Sequence, residues 1–127
     1  MRWTHRDSLL LLTITLLGGA LRFFQIGQVP PGFQFDEAYN ALDAQQVLAG
    51  NFPLFLPANG GREVLYTYFQ AALIGLFGAT PAVFRAASAI WGTLAVAATY
   101  ILLRALLRRN SRLVASCGAL ALAISYW

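Results

Sequence analysis

The chain has 127 residues, 58% of them hydrophobic and 11% charged, with a formal net charge of +4 and a mean hydropathy of +0.60. A soluble globular chain is about 25% charged, so this composition excludes an ordinary water-soluble domain and points to the membrane. The positive charge is nine arginines and no lysine; they cluster at the ends of apolar runs, and no basic stripe with interleaved aromatics argues for nucleic acid as a partner.

In chain order, the first apolar run is "SLLLLTITLLGGALRFFQIG" (8–27), preceded by Arg2 and Arg6. Twenty helical residues rise about 30 Å, the thickness of a hydrocarbon core, so the run predicts a membrane span. Arg22 is expected near its far end, snorkelling outward, with Phe23 and Phe24 at interface depth. A cleaved signal peptide with Ala20 in a small-residue site is the competing reading, and the apolar residues that continue past that site argue against it. His5 reads as a solvated bystander. The lone Cys117 supports neither a disulfide framework nor a metal pattern.

Next, "VPPGF" (29–33) predicts a rigid extended lead-in, because proline fixes its own φ and disfavours helix in the residue before it. The stretch "GFQFDEAYNALDAQQVLAG" (32–50) holds three of the five acidic residues. A helix is expected over about 36–49, stopped by Gly50. At about 100° per residue, Asp36, Tyr39, Asn40, Asp43 and Gln46 share a polar arc, and Ala38, Ala41, Leu42, Leu48 and Ala49 an apolar one. Glu37 lies at the edge of the polar arc. Two readings of the Asp36–Glu37 pair stay open on spacing alone. Acids in a first turn are favoured by the helix dipole and the unpaired N–H groups; equally, carboxylates at the water–lipid boundary can serve as a general base or metal ligands.

"NGGREVLY" places Arg62 and Glu63 after a flexible turn, just before a helix expected over about 64–78. Fifteen residues are short of a span, and counting them as one would put the "RALLRRNSR" cluster opposite Arg2 and Arg6, against the positive-inside tendency. The segment therefore predicts a helix at the outer surface, with an ordinary short span as the competing reading. Leu65, Phe69, Ala72, Leu73 and Leu76 make its broad apolar face. Thr67, Ala71, Gly75 and Gly78 make a narrow face suited to close packing against another helix.

A second span is expected over 81–103, with Thr80 as N-cap and Pro81 at the first helical position. Arg85 lies in its first turn, where snorkelling to lipid head groups competes with a site role; for Arg62 the competing role is an ion pair with a neighbouring acid. Arginine's planar fork suits phosphate oxygens. After the basic cluster of Arg104, Arg108, Arg109 and Arg112, a third run over 113–127 is too short to cross and predicts a chain ending mid-span. The expected fold class is all-α: a multi-pass protein of the plasma (inner) membrane, its N-terminus cytoplasmic and the segment 28–80 external, with juxtamembrane helices.

With these residues placed, the order "LRFFQIGQVPPGFQFDEAYNALDAQQVLAG" then "NGGREVLYTYFQAALIGLFGATPAVFRAASAIWGTL" resembles the N-terminal part of GT-C membrane glycosyltransferases, closest to glycosyltransferase family 39. That family includes the protein O-mannosyltransferases and the lipid A aminoarabinose transferases. The resemblance covers nearly the whole chain but only about the first quarter of a typical member. It implies transfer of a sugar from a polyprenyl-phosphate donor to a lipid, protein or glycan acceptor outside the membrane. Asp36 would be the catalytic base, Glu37 its partner in the site, and Arg85 the arginine near the donor phosphate. Arg62 could take over the donor-phosphate role of the lysine of a Lys-Pro pair, whose places here read Glu63 and Val64; that departure argues against the aminoarabinose branch. Tyr39, Asn40, Asp43 and Glu63 are possible substrate contacts. A divalent metal at Asp36 and Glu37 is a possible cofactor, and a further acidic site is expected beyond Trp127. The alternatives are a non-catalytic small membrane protein or assembly subunit, and a piece of a transporter. Against the transporter stands the lack of an acid inside any apolar span.

Overall fold

The computed structural model describes residues 3–57, 60–107 and 111–125; Arg2, Asn59, Arg108, Arg109 and the last two residues of the third run lie outside the described residues. The fold is all-α. Among the described residues every regular element is a helix: α1 (His5–Phe23), α2 (Phe35–Leu48), α3 (Leu65–Phe77), α4 (Pro81–Leu106) and α5 (Ser111–Ile124). One isolated bridge joins Leu56 and Arg62. Two compact units result: Met1–Phe24 with Ser88–Trp127, and Gln25–Ala87. Among the described residues α4, with 26 residues, is the helix long and apolar enough to cross a membrane.

In the first unit α1, α4 and α5 pack around Ile14, Val96, Tyr100, Ala115, Ala119 and Ala123. The inward stripe of α5 is Ser111, Ala115, Ala119 and Ala123, small residues every fourth position that let helices approach closely. Gly18 of α1 meets this stripe: a Cβ there would lie 3.3 Å from both Ala123 Cβ and Val96 Cγ2. The large aliphatics point the other way, with Leu9, Leu12, Leu16, Leu94, Leu102 and Leu113 all more than half exposed. The start of α1, the end of α4 and the start of α5 meet at Asp7, so the three helices alternate in direction.

Two expectations for the first run are corrected. Helix α1 ends at Phe23 instead of continuing to residue 27, and Phe24–Gly32 form turns and bends in place of an extended lead-in, with the Val29–Pro30 peptide cis. Arg22 does not snorkel outward. Its guanidinium donates to the Gly18, Leu122 and Ala123 carbonyls at 3.1, 2.8 and 3.1 Å, capping the carbonyl end of α5, where the helix dipole favours a cation. Gly92 makes room for it, since a Cβ there would sit 2.7 Å from Arg22 Nε.

In the second unit α2 packs on α3 around Ala41, Ala44, Val47, Ala71, Ile74 and Phe84. The α2 C-terminus closes as a Schellman turn: Asn51 N–H donates to Gln46 O, Gly50 N–H to Val47 O, and Gly50 takes φ 94°. Only glycine adopts that conformation without strain. The packed face of α3 takes in half of the expected small face, Thr67 and Ala71 at 2% exposure each, together with Gln70 and Ile74; Gly75 and Gly78 are exposed, and Gly78 lies beyond the helix. Gly75 lies against α2, 3.3 Å from Leu48 Cδ2 to a Cβ built on it. Leu65 and Leu76 are largely exposed. The α2 arcs need correction: Asp43, expected on the polar arc, is buried, while Leu42 and Leu48 are exposed. The contact face is Ala41, Ala44 and Val47, with Asp43 beside it paired to Arg62. At α4, Thr80 Oγ1 accepts the Val83 N–H at 3.3 Å, the cap expected ahead of Pro81.

Candidate functional site

The start of α2 treats its two carboxylates differently. Glu37 accepts from Arg85 twice, Nε to Oε1 at 3.1 Å and Nη2 to Oε2 at 3.2 Å. It also takes the Gln34 amide N–H on Oε2 at 3.2 Å, the reach-back of a capping box. Asp36, one residue earlier, has an exposed side chain. Glu37 thus makes the capping-box contact, and the neighbouring carboxylate stands at the surface. Tyr39 is half-buried, its ring set edge-on to Phe35 at 4.7 Å.

Arg85, placed by the first turn of α4, is 7% exposed. Besides Glu37 it donates to Ile26 O at 3.2 Å and Gly32 O at 2.5 Å, and its guanidinium lies over the Phe33 ring at 5.7 Å. It does not snorkel. One buried guanidinium thus ties together the turn 26–33, the start of α2 and the start of α4. Its planar fork makes this possible, binding a carboxylate side-on while spare N–H groups reach carbonyls.

A second ion pair lies further along α2. Arg62 donates to Asn40 Oδ1 and, at 2.5 Å, to Asp43 Oδ2. Its backbone is held by paired bonds with Leu56, N to O at 2.8 and 3.1 Å. Its Nε is buried and has no partner among the described residues. Arg62 lines a cavity of ≈ 190 Å³ with Asn40, Glu63, Tyr66 and Thr67. The structure thus divides the candidate residues into two sets: Asp36, Glu37 and Arg85, and Asn40, Asp43, Arg62 and Glu63.

Sequence reasoning missed a third constellation, in the first unit. Asp7 is fully buried and accepts from Arg104 Nε at 2.8 Å, Arg112 Nε at 3.0 Å and Nη2 at 3.2 Å, and the Thr4 hydroxyl and amide at 2.7 and 2.9 Å. The Arg112 guanidinium, then that of Arg104, holds its carboxyl far below the usual carboxylate range, against the upward push of burial. Asp7 in return raises Arg112. Arg104 also reaches Ser111 Oγ. A signal was present: an acid three residues after Thr4, in a chain whose basic cluster lies beside apolar runs, calls for a paired partner.

No group of three or more His, Cys, Asp or Glu that could hold a metal ion is assembled among the described residues. With Glu37 committed to Arg85 and Gln34, Asp36 alone does not make the six to eight oxygen ligands of calcium or the octahedron of magnesium. The pair does not fit a divalent cation.

No family model matches the chain, and no curated protein or solved structure matches it significantly.

Proposed function

We propose that this chain is part of an integral-membrane glycosyltransferase that moves a sugar from a polyprenyl-phosphate carrier to an acceptor outside the membrane. The observation that carries the proposal is the division of labour at the start of α2. Glu37 is clamped by Arg85, which fixes the backbone that presents Asp36, and Asp36 is exposed. A carboxylate on a rigid helix start, open to solvent, is placed to take a proton from an incoming hydroxyl or amine. The acceptor oxygen or nitrogen then forms its bond to the anomeric carbon as the bond to phosphate breaks. The lipid phosphate leaves with the electron pair, and the proton rests on Asp36.

In this reading Arg85 is a positioning residue. It would reach a donor phosphate only by exchanging Glu37 for it, one anion for another on the same fork. The multi-pass topology is part of the proposal. It is supported by the first unit, where small residues pack inward and leucines face outward. That pattern suits helices solvated by lipid tails. The convergence of Arg104 and Arg112 on the start of α1 supports both basic ends on one, cytoplasmic, side. The segment 28–80 is then external.

The test is sugar transfer from polyprenyl-phosphate sugars by the full-length protein in detergent, wild type against Asp36→Asn. The expected outcome is a fall in kcat of about 10²-fold or more with donor binding kept. Unchanged turnover overturns the proposal.

A further inference from the structure

We propose that the cavity beside Arg62 is a subsite for one neutral pyranose ring, taken through its hydroxyls, and not a phosphate site. It rests on the transferase reading only for the donor that would deliver the sugar.

Charge is the first reason. The resemblance casts Arg62 as a phosphate-binding cation, yet its guanidinium already faces the Asp43 carboxylate at 2.5 Å, and Glu63 adds a second carboxylate to the cavity wall. One cation against two anions leaves no surplus positive charge to hold a phosphate.

Bonding capacity is the second. The lining residues include Asn40, Glu63 and Thr67, side chains that between them carry donors and acceptors and so match sugar hydroxyls, which both give and accept. Among the described residues Arg62 Nε is a buried donor with no acceptor, a costly arrangement that a ligand hydroxyl or ring oxygen relieves. The Tyr66 ring adds an apolar surface for the C–H face of the sugar.

Size and rigidity are the third. The cavity, ≈ 190 Å³, equals the liquid volume of about six waters. That is the scale of a single sugar ring and well below the roughly 300–1,000 Å³ of sites for larger ligands. Its walls are preset: the Leu56–Arg62 bridge holds Arg62, and Thr67 is packed at 2% exposure.

The test uses the full chain in detergent micelles and saturation-transfer NMR. The probes are methyl α-D-mannopyranoside and methyl β-D-glucopyranoside, with inorganic phosphate as anionic competitor. Circular dichroism checks that each variant stays helical. Expected is transfer to the ring protons of at least one pyranoside. It should be about fivefold weaker in Asn40→Ala and in Tyr66→Ala, kept in Tyr66→Phe, and not displaced by phosphate. No transfer to either probe in the folded chain overturns the subsite, as does transfer untouched by both alanine variants or displacement by phosphate. Pyranoside binding with no turnover by the full-length protein would keep the subsite and sink the transferase reading. Turnover without pyranoside binding would do the reverse.

Discussion

Asp7 faces two guanidinium groups with no water-exposed surface of its own, and this makes acid stability its diagnostic. Its pKa in the folded chain is depressed below the unfolded value of about 3.9. Its contribution is therefore fully present above about pH 4 and is lost as the pH falls below that. In circular-dichroism melts taken from about pH 6 down to pH 3, Asp7→Asn should start lower than wild type and show a shallower loss on acidification. Parallel curves would mean that the pairing contributes nothing net. At the start of α2 the same logic separates two neighbours. Glu37→Gln leaves the buried Arg85 without its counter-charge and should cost about 1–3 kcal/mol. Asp36→Asn, at an exposed carboxylate, should cost less than that, below about 1 kcal/mol. Chemical unfolding of the two variants checks the order, and equal costs would mean that both carboxylates are structural.

At the scale of elements, the α2–α3 pair rests on small residues. Ala71 is 2% exposed at that contact, so Ala71→Leu should overpack it and cost about 1–3 kcal/mol. Ala72→Leu, on the exposed side, should stay within about 0.5 kcal/mol; thermal unfolding of the two variants separates the faces. The packed side of α3 was legible beforehand because Thr67 and Ala71 recur at the helical repeat and are small. The faces of α2 were less legible. Its polar residues are interspersed with alanines, and whether Asp43 faces water or protein depends on Arg62, nineteen residues away. No helical wheel contains that partner. The stop at Gly50 was readable because a glycine after the last helical residue has one common use. Arg22 was misread for the opposite reason: its partners are the carbonyls of Leu122 and Ala123, about a hundred positions on.

For the whole molecule, the alternating directions of α1, α4 and α5 give the proposed topology a direct check. In a Cys117→Ser background, cysteines placed singly at His5 and at Phe55, both exposed, should respond oppositely to a membrane-impermeant maleimide on intact cells. Phe55→Cys is expected to label from outside and His5→Cys only after permeabilisation. Labelling of both from outside would refute a cytoplasmic N-terminus. The amino-acid sequence by itself settled the composition class, the all-helical character, most helix ends and the burial of Thr67 and Ala71 on α3. These follow from local rules, chiefly hydrophobic period, proline and glycine stereochemistry, and capping within four residues. The tertiary structure alone decided which charges are committed and to what: Glu37 to Arg85, Asp43 to Arg62, Asp7 to Arg104 and Arg112. In an apolar chain a charge takes whichever opposite charge the packed helices bring within hydrogen-bond distance. That distance is set by the fold, not by separation along the chain.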